Sequence, residues 1–376
     1  MGLLATSFSS RVENRFCELH LSGKTQQALD FASAGTRLVQ EPSRRSFKLE
    51  SSSSQVKRGN QRSSLYMLRA FDEALGDSWK STVRLMHSGE QIALGAIVDS
   101  DGWIVTKASQ LPISGELTCR MFDGRESIVS VISKVQEHDL ALLHVPETQL
   151  TAITWDNQTP ERGKWLATTD LRARPIAVGV VSAGIQSIEA KRPRLGVELR
   201  PTKGEGGEVA MVLLGSGAEE AGIRRGDYLY SVNGQSLHSS EEVIRAISTS
   251  GSAGEFIRIG VDRGEKRFEV EARLMDLTDE LLDKTEMEVN GRVSARSTGF
   301  SKVFSHDTVL EPQDCGGPLV NLDGKVVGIN IARAGRVSSY ALPSQTVKPI
   351  VDSLLAQAKL VSTQAKPAQS TLRPIR

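Results

Sequence analysis

Beyond residue 80 the chain alternates between apolar and polar positions. Residues 81–86 set Val83 and Leu85 against Arg84, and a longer run follows at 91–98. Residues 103–106 answer it, and further runs stand at 117–122, 128–135 and 140–145. A period of two marks strands with one buried face. Short strands at 8–12-residue spacing, with turn residues between them, predict an all-β barrel or sandwich. Asp99-Ser100-Asp101-Gly102 reads as a two-residue hairpin turn, because glycine accepts the positive φ such turns need. Helical spacing is rarer. Leu68, Phe71, Ala74, Leu75 and Trp79 predict one short amphipathic helix over 68–79. Val347, Ile350, Val351 and Leu354 predict another over 346–355. A second set of strands opens at 163–168 and 176–183, breaks off after about residue 190, resumes near Gly291 and runs through 324–331 to 340–343.

Composition supports this picture. Only 5% of the 376 residues are aromatic while 33 are glycine, a balance that suits strands and turns better than helical bundles. Hydrophobic residues make up 39%, enough to bury cores in two or three domains. The net charge of +1 argues against a nucleic-acid binder. Charge is uneven, however. Residues 1–70 hold 11 Lys/Arg and 5 Asp/Glu, leaving 35 and 40 for the rest. Residues 1–66 carry no sustained period and include Ser51-Ser52-Ser53-Ser54, so they are expected to form a disordered basic tail, either a plain tether or an arm that touches membrane or nucleic acid.

Three cysteines, Cys17, Cys119 and Cys315, include no CxxC pair. Neither a zinc knuckle nor a disulfide framework is expected, and no cofactor or metal is implied. Cys119 lies in a strand-like run and reads as core. No apolar stretch approaches the length of a transmembrane helix. The first thirty residues contain no legible secretory signal.

Residues 194–274 have a different character. Arg194-Leu195-Gly196-Val197, the stretch Gly215 through Ile223, Arg225-Gly226-Asp227 and Ser231-Val232-Asn233-Gly234 together resemble a PDZ domain. Local chemistry agrees. Residues 218–221 can form a helical turn that Gly222 caps in the left-handed conformation. Asn233-Gly234 is a hairpin turn, and Ser240 is placed to cap a helix over 241–247. The resemblance implies that a polypeptide C-terminus adds as a strand beside Leu195, Gly196 and Val197, with Val243 and Ile247 of the helix facing it. The alternatives are that the groove is unused or filled by the protein's own chain.

The stretch Asp307 through Val320, with Asp314-Cys315-Gly316-Gly317-Pro318 at its centre, resembles the nucleophile loop of HtrA/Deg-type trypsin-like serine proteases. Asp101-Gly102-Trp103-Ile104-Val105-Thr106-Lys107-Ala108-Ser109 is similar to the family's histidine loop, Glu137-His138-Asp139-Leu140 to its aspartate motif, and Ser339-Tyr340-Ala341-Leu342-Pro343 to the strand lining its specificity pocket. Carried over residue by residue, the catalytic positions are Ser109, Asp139 and Cys315, and the oxyanion loop is Gln313, Asp314 and Cys315. The implied fold is all-β dominated, a trypsin-like double β-barrel with the PDZ domain inserted in the second barrel. Its expected parts are a tail over 1–66, a short helix and first barrel over 67–150, the start of the second barrel over 151–190, the PDZ domain over 191–276, the rest of the second barrel and its helix over 277–360, and a tail over 361–376. Gly179-Val180-Val181-Ser182-Ala183 and Gly291-Arg292-Val293-Ser294-Ala295 compete for one barrel strand.

Three departures bear on chemistry. A serine at 109 cannot serve as a base near neutral pH. A thiol at 315 without an imidazole lacks both activation and an acid for the leaving amine. Gln313 replaces a glycine whose conformation helps to form the oxyanion site. The expected function is a peptide- or protein-binding pseudoprotease. The alternative is an active endopeptidase using Cys315 with a recruited base, His138 and His306 being the candidates by position. A third reading is a structural assembly module. Asp314 is expected to pair with a buried charge. The resemblance also implies a possible homo-oligomer and export to the periplasm, although the compartment is open. An insertion anchored at both ends further suggests that peptide binding at 195–197 biases the nucleophile loop.

Overall fold

The computed structural model describes residues 64–202, 206–264, 266–277, 292–335 and 338–364. Most of the expected tails, and Gly291, lie outside the described residues. The helix expected over 68–79 is three separate turns: Leu65–Arg69, Asp72–Leu75 and a 3-10 turn at Ser78–Ser81. Gly76, at φ 50°, breaks the period between the second and third. The first turn begins inside the expected tail, where the Ser64 side chain accepts from the Met67 amide.

Seven strands follow: β1 (Thr82–His87), β2 (Glu90–Asp99), β3 (Trp103–Lys107), β4 (Leu117–Arg120), β5 (Glu126–Ile128), β6 (Ser130–Val135) and β7 (Leu140–His144). They form one curled antiparallel sheet in the order β5-β4-β1-β2-β3-β7-β6. Parity explains why several of these runs are continuously apolar. Ile97 and Ile104 enter the sheet's own core with Val83, Leu85 and Cys119, whereas Ala96 and Val105 turn into a second core shared with the barrel. The hairpin at 99–103 has a three-residue connection, not two, because Asp99 pairs directly with Trp103.

The second unit closes fully. β8 (Trp165–Thr168), β9 (Ala177–Ile188), β16 (Phe300–His306), β17 (Pro318–Val320), β18 (Val326–Gly335) and β19 (Ser338–Pro343) form a barrel in the order β16-β19-β18-β17-β8-β9. Residues 179–183 take the contested strand, since β9 pairs with both β8 and β16. The helix Ser344–Gln364 is longer than expected and runs into residues assigned to the tail. Its Val347 and Val351 pack with Leu68, Phe71 and Leu75 in the shared core.

Between β9 and β16 lies an antiparallel sheet of β10 (Val197–Arg200), β11 (Gly207–Val212), β12 (Tyr228–Val232), β13 (Gln235–Ser236), β14 (Phe256–Arg263) and β15 (Lys266–Arg273). The helices Gly217–Glu220 and Ser240–Thr249 accompany it. The capping serine of the longer helix is Ser239, whose hydroxyl accepts from the Glu242 amide; Ser240 is already helical. Entry and exit of this insertion are paired. Arg194 and Met275 exchange two backbone hydrogen bonds of 2.9 Å. Just beyond, Asp276 accepts from the amides of Ser297 (2.9 Å) and Thr298 (2.8 Å). The insertion is thus tied at its base, and barrel strands β9 and β16 meet below it.

Candidate functional site

Strand β17 is entered through a 3-10 turn at Pro312–Asp314, started by Pro312 and closed by reciprocal bonds between Glu311 and Asp314. Inside it the Asp314 carboxylate accepts from the Glu311 amide at 2.9 Å. Asp314 therefore caps the turn, and that amide replaces the buried charge expected as its partner. Burial still pushes its carboxyl above the usual range. Gln313 lies within the turn and is not among the residues at positive φ, as expected for a non-glycine residue. The Cys315 amide, the second family oxyanion donor, is spent on the Pro312 carbonyl at 3.2 Å. Gln91 Nε2 donates to the Gln313 carbonyl at 3.0 Å, and the Leu94 amide to the Cys315 carbonyl at 3.0 Å. Both hold the loop in place.

Cys315 is fully buried. Its sulfur lies 3.8 Å from Ser294 Oγ and 4.0 Å from the Glu311 carbonyl, with the Arg333 amide also bonded to it. No imidazole is among them in the described residues. Burial pushes the thiol up, more strongly than the charge of Lys107 pulls it down. His306 is also fully buried. Its Nδ1 lies 2.8 Å from Thr308 Oγ1, and burial lowers its pKa to about 4, so the ring is neutral. His138 has Glu137 as its charged neighbour at 3.8 Å. Neither histidine is brought to the thiol.

The aspartate and serine positions do meet. Asp139 adopts the left-handed conformation at φ 55° and is fully buried. One of its oxygens accepts from the Ser109 amide at 2.6 Å and the other from the Ser109 hydroxyl at 2.7 Å. A buried carboxylate also needs a counter-charge. Lys107 supplies it, with Nζ 3.7 Å from Asp139 and donating to the Arg296 carbonyl at 2.9 Å. Burial draws Lys107 down and Asp139 up, and the charge of each opposes the other's shift. Sequence reasoning missed Lys107. Its signal was a lysine closing an apolar strand two residues before Ser109.

The groove of the inserted unit is built differently. A cleft of about 670 Å³ runs between β10 and the helix Ser240–Thr249, lined among others by Leu195, Val197, Leu199, Ile244 and Ile247. Gly196 holds φ +87°, and a Cβ there would come within 2.2 Å of Ser216. Within the described residues the amides of Leu195 and Gly196 donate to no backbone carbonyl. Leu195, Gly196, Val197 and Ile247 are among the residues that line this cleft. Val243 does not line the groove: it is fully buried in the unit's core, and Ile244, one residue on and 57% exposed, faces the groove instead.

Fold and site together define a serine-protease-like chain of two β-units with an inserted domain that carries an apolar groove. The PDZ domain family matches residues 193–274. The chain is similar to "Serine protease Do-like HtrA" of Bacillus subtilis (strain 168), 33% identical over 88 residues, which are 22% of this chain and 19% of that protein. "Serine protease Do-like HtrB" of the same organism is 42% identical over 71 residues, 18% of this chain and 16% of that protein. The "Periplasmic pH-dependent serine endoprotease DegQ" of Escherichia coli (strain K12) is 28% identical over 172 residues, 46% of this chain and 34% of that protein. The matched stretches thus span from 16% to 34% of these relatives. These likenesses are to HtrA-type serine proteases, with a PDZ domain at residues 193–274. Among the described residues no helix is long and apolar enough to cross a membrane.

Proposed function

We propose that this chain is a peptide- or protein-binding pseudoprotease, gripping polypeptide C-termini through the PDZ groove without cutting them. The observation that carries this reading is the state of Cys315: a buried sulfur whose polar neighbours are a hydroxyl, a carbonyl and a backbone amide, with no imidazole among them in the described residues. Peptide hydrolysis needs a base for the nucleophile, an acid for the leaving amine and amides aimed at the oxyanion. Ser109 supplies no base, and the Cys315 amide is engaged at Pro312. The groove supports the binding half of the reading through an apolar trough beside amides that donate to no described backbone carbonyl, the features a C-terminal strand requires.

A second reading keeps Cys315 as a nucleophile with Lys107 as the recruited base. It is favoured by the nearness of Lys107 to the loop, a Cβ on Gly316 coming within 3.1 Å of its amide nitrogen, and by burial, which draws its ammonium towards the neutral amine a base must be. One experiment separates the two. The purified full chain is treated with a thiol-reactive probe at neutral pH and incubated with casein, beside a Cys315→Ala variant. Slow labelling and no cleavage are expected. Fast labelling with cleavage that disappears in Cys315→Ala would establish the second reading.

A further inference from the structure

The turn between the groove helix and β14, residues 251–256, lies against the histidine-position loop. Gly254 sits at φ +88°, and a Cβ built on it would come within 2.3 Å of Ser109 Cβ and 3.3 Å of its Oγ. No methyl group fits between the two backbones. Glu255 spans the contact, accepting from Gln136 Nε2 at 2.9 Å with one oxygen and from the Ser252 amide at 2.8 Å with the other. The turn is held just beyond the end of β15 by Gly254 N donating to Leu274 O at 2.7 Å and Leu274 N donating to Glu255 O at 2.8 Å. Arg296 donates to the carbonyls of Gln136 and Glu137. Ser109 keeps only 8% exposure.

We infer that the PDZ turn at 251–256 is an internal plug, seated over the position where the family carries its imidazole and closing that part of the cleft to any polypeptide. Two contacts make the site specific for a small side chain at 109. Ser109 Oγ lies 2.7 Å from an Asp139 oxygen, too close for a ring carbon to take its place. A larger side chain must swing away from Asp139, and Gly254 already stands against Ser109 at the wall of a cavity of about 300 Å³ that Ser109 and residues 253–256 line together. The serine that removes the base is therefore also the residue that lets the insertion dock. The inference concerns what fills the cleft, not what the groove binds, so groove affinity for a peptide can be normal whichever way it falls.

The test is hydrogen exchange by mass spectrometry on the full chain carrying Ser109→His. Exchange in residues 251–256 and 134–137 is expected to rise by about tenfold or more, while β14 keeps its protection. Ser109→Ala, which loses the hydroxyl but adds no volume, is expected to leave residues 251–256 as they are. Unchanged exchange at 251–256 in Ser109→His would overturn the inference, and so would an equal rise in Ser109→Ala. If Ser109→His loses protection throughout, Gln136→Ala decides. It removes the bond to Glu255 without adding bulk, and a rise confined to 251–256 and 134–137 supports the plug. No rise there overturns it.

Discussion

The PDZ groove and the protease-like cleft are both concave features of one chain, and they treat their polar groups in opposite ways. In the groove, the amides of Leu195 and Gly196 donate to no described backbone carbonyl, and Ile244 is 57% exposed beside them. In the cleft, the Cys315 amide is taken by Pro312, the Ser109 amide and hydroxyl by Asp139, and the sulfur is buried. A site that acts on a ligand keeps donors in reserve for it, because a buried unpaired donor costs about 1–3 kcal/mol until the ligand arrives. The cleft has put its donors into its own structure. That difference, more than the identity of any one residue, separates a binding surface from a packed interior.

The sharpest way to break the comparison is to remove the charge that makes the cleft an interior. Lys107→Met leaves Asp139 buried with only the Ser109 bonds and the more distant charge of Arg296. Stripping one partner from a buried pair costs about 3–5 kcal/mol. Urea denaturation should show a loss of that size, with much of it recovered in Lys107→Met/Asp139→Asn. A loss below about 1 kcal/mol would mean that water reaches the pair and that the cleft is open.

His306 offers the next largest effect. Its pKa falls from 6.5 to about 4 on burial, so between those values the unfolded chain binds a proton that the folded chain refuses. Stability therefore falls as pH drops through this window and is unaffected by this group above it. The shift corresponds to about 3 kcal/mol. Denaturation midpoints measured from pH 7 to pH 4 should decline in the native chain, and His306→Gln should flatten part of that decline. An unchanged slope would place water or a counter-charge beside the ring.

Much of this was legible in the chain because it rests on local rules. The period of two located the strands, and Gly222 and Asn233-Gly234 fixed the turns of the insertion at φ 74°, 50° and 82°. Two motifs named Ser109 and Asp139 as family positions, while the hydrogen bonds that join them are read from the structure. What was not legible depends on contacts far apart in sequence. The partner of Lys107 lies thirty-two residues on, and Gly254 meets Ser109 across 145 residues. The error at Val243 is of another kind. Val243 and Ile244 are adjacent apolar residues, and a helical step of about 100° decides which faces the groove. The exposed edge of β10 sets that choice, and the helix's own pattern does not reveal it.

In the groove, Ile244→Ser should leave stability nearly unchanged, since the side chain is more than half exposed. It should weaken binding of an apolar C-terminal peptide by about tenfold, the worth of burying that surface. Fluorescence anisotropy with a labelled peptide measures this, and Val243→Ala is the contrast: it should damage the fold while leaving the groove lining in place. Equal affinity in Ile244→Ser and the native chain would remove the groove from the comparison.

The smallest effect tests the cleft at its centre. Cys315→Ala deletes one buried atom and should cost about 1 kcal/mol, the transfer and cavity terms of a methyl-sized group. Cys315→Ser is slightly smaller and places a hydroxyl between Ser294 Oγ and the Glu311 carbonyl, where it can donate to either. Its stability should lie within about 1 kcal/mol of the native chain. Neither variant should change peptide affinity, because the sulfur touches nothing in the groove lining. If Cys315→Ser instead gained casein hydrolysis, an acid and a base would have to be within its reach. The packed cleft would then be one of two states of the loop, with the other open to substrate.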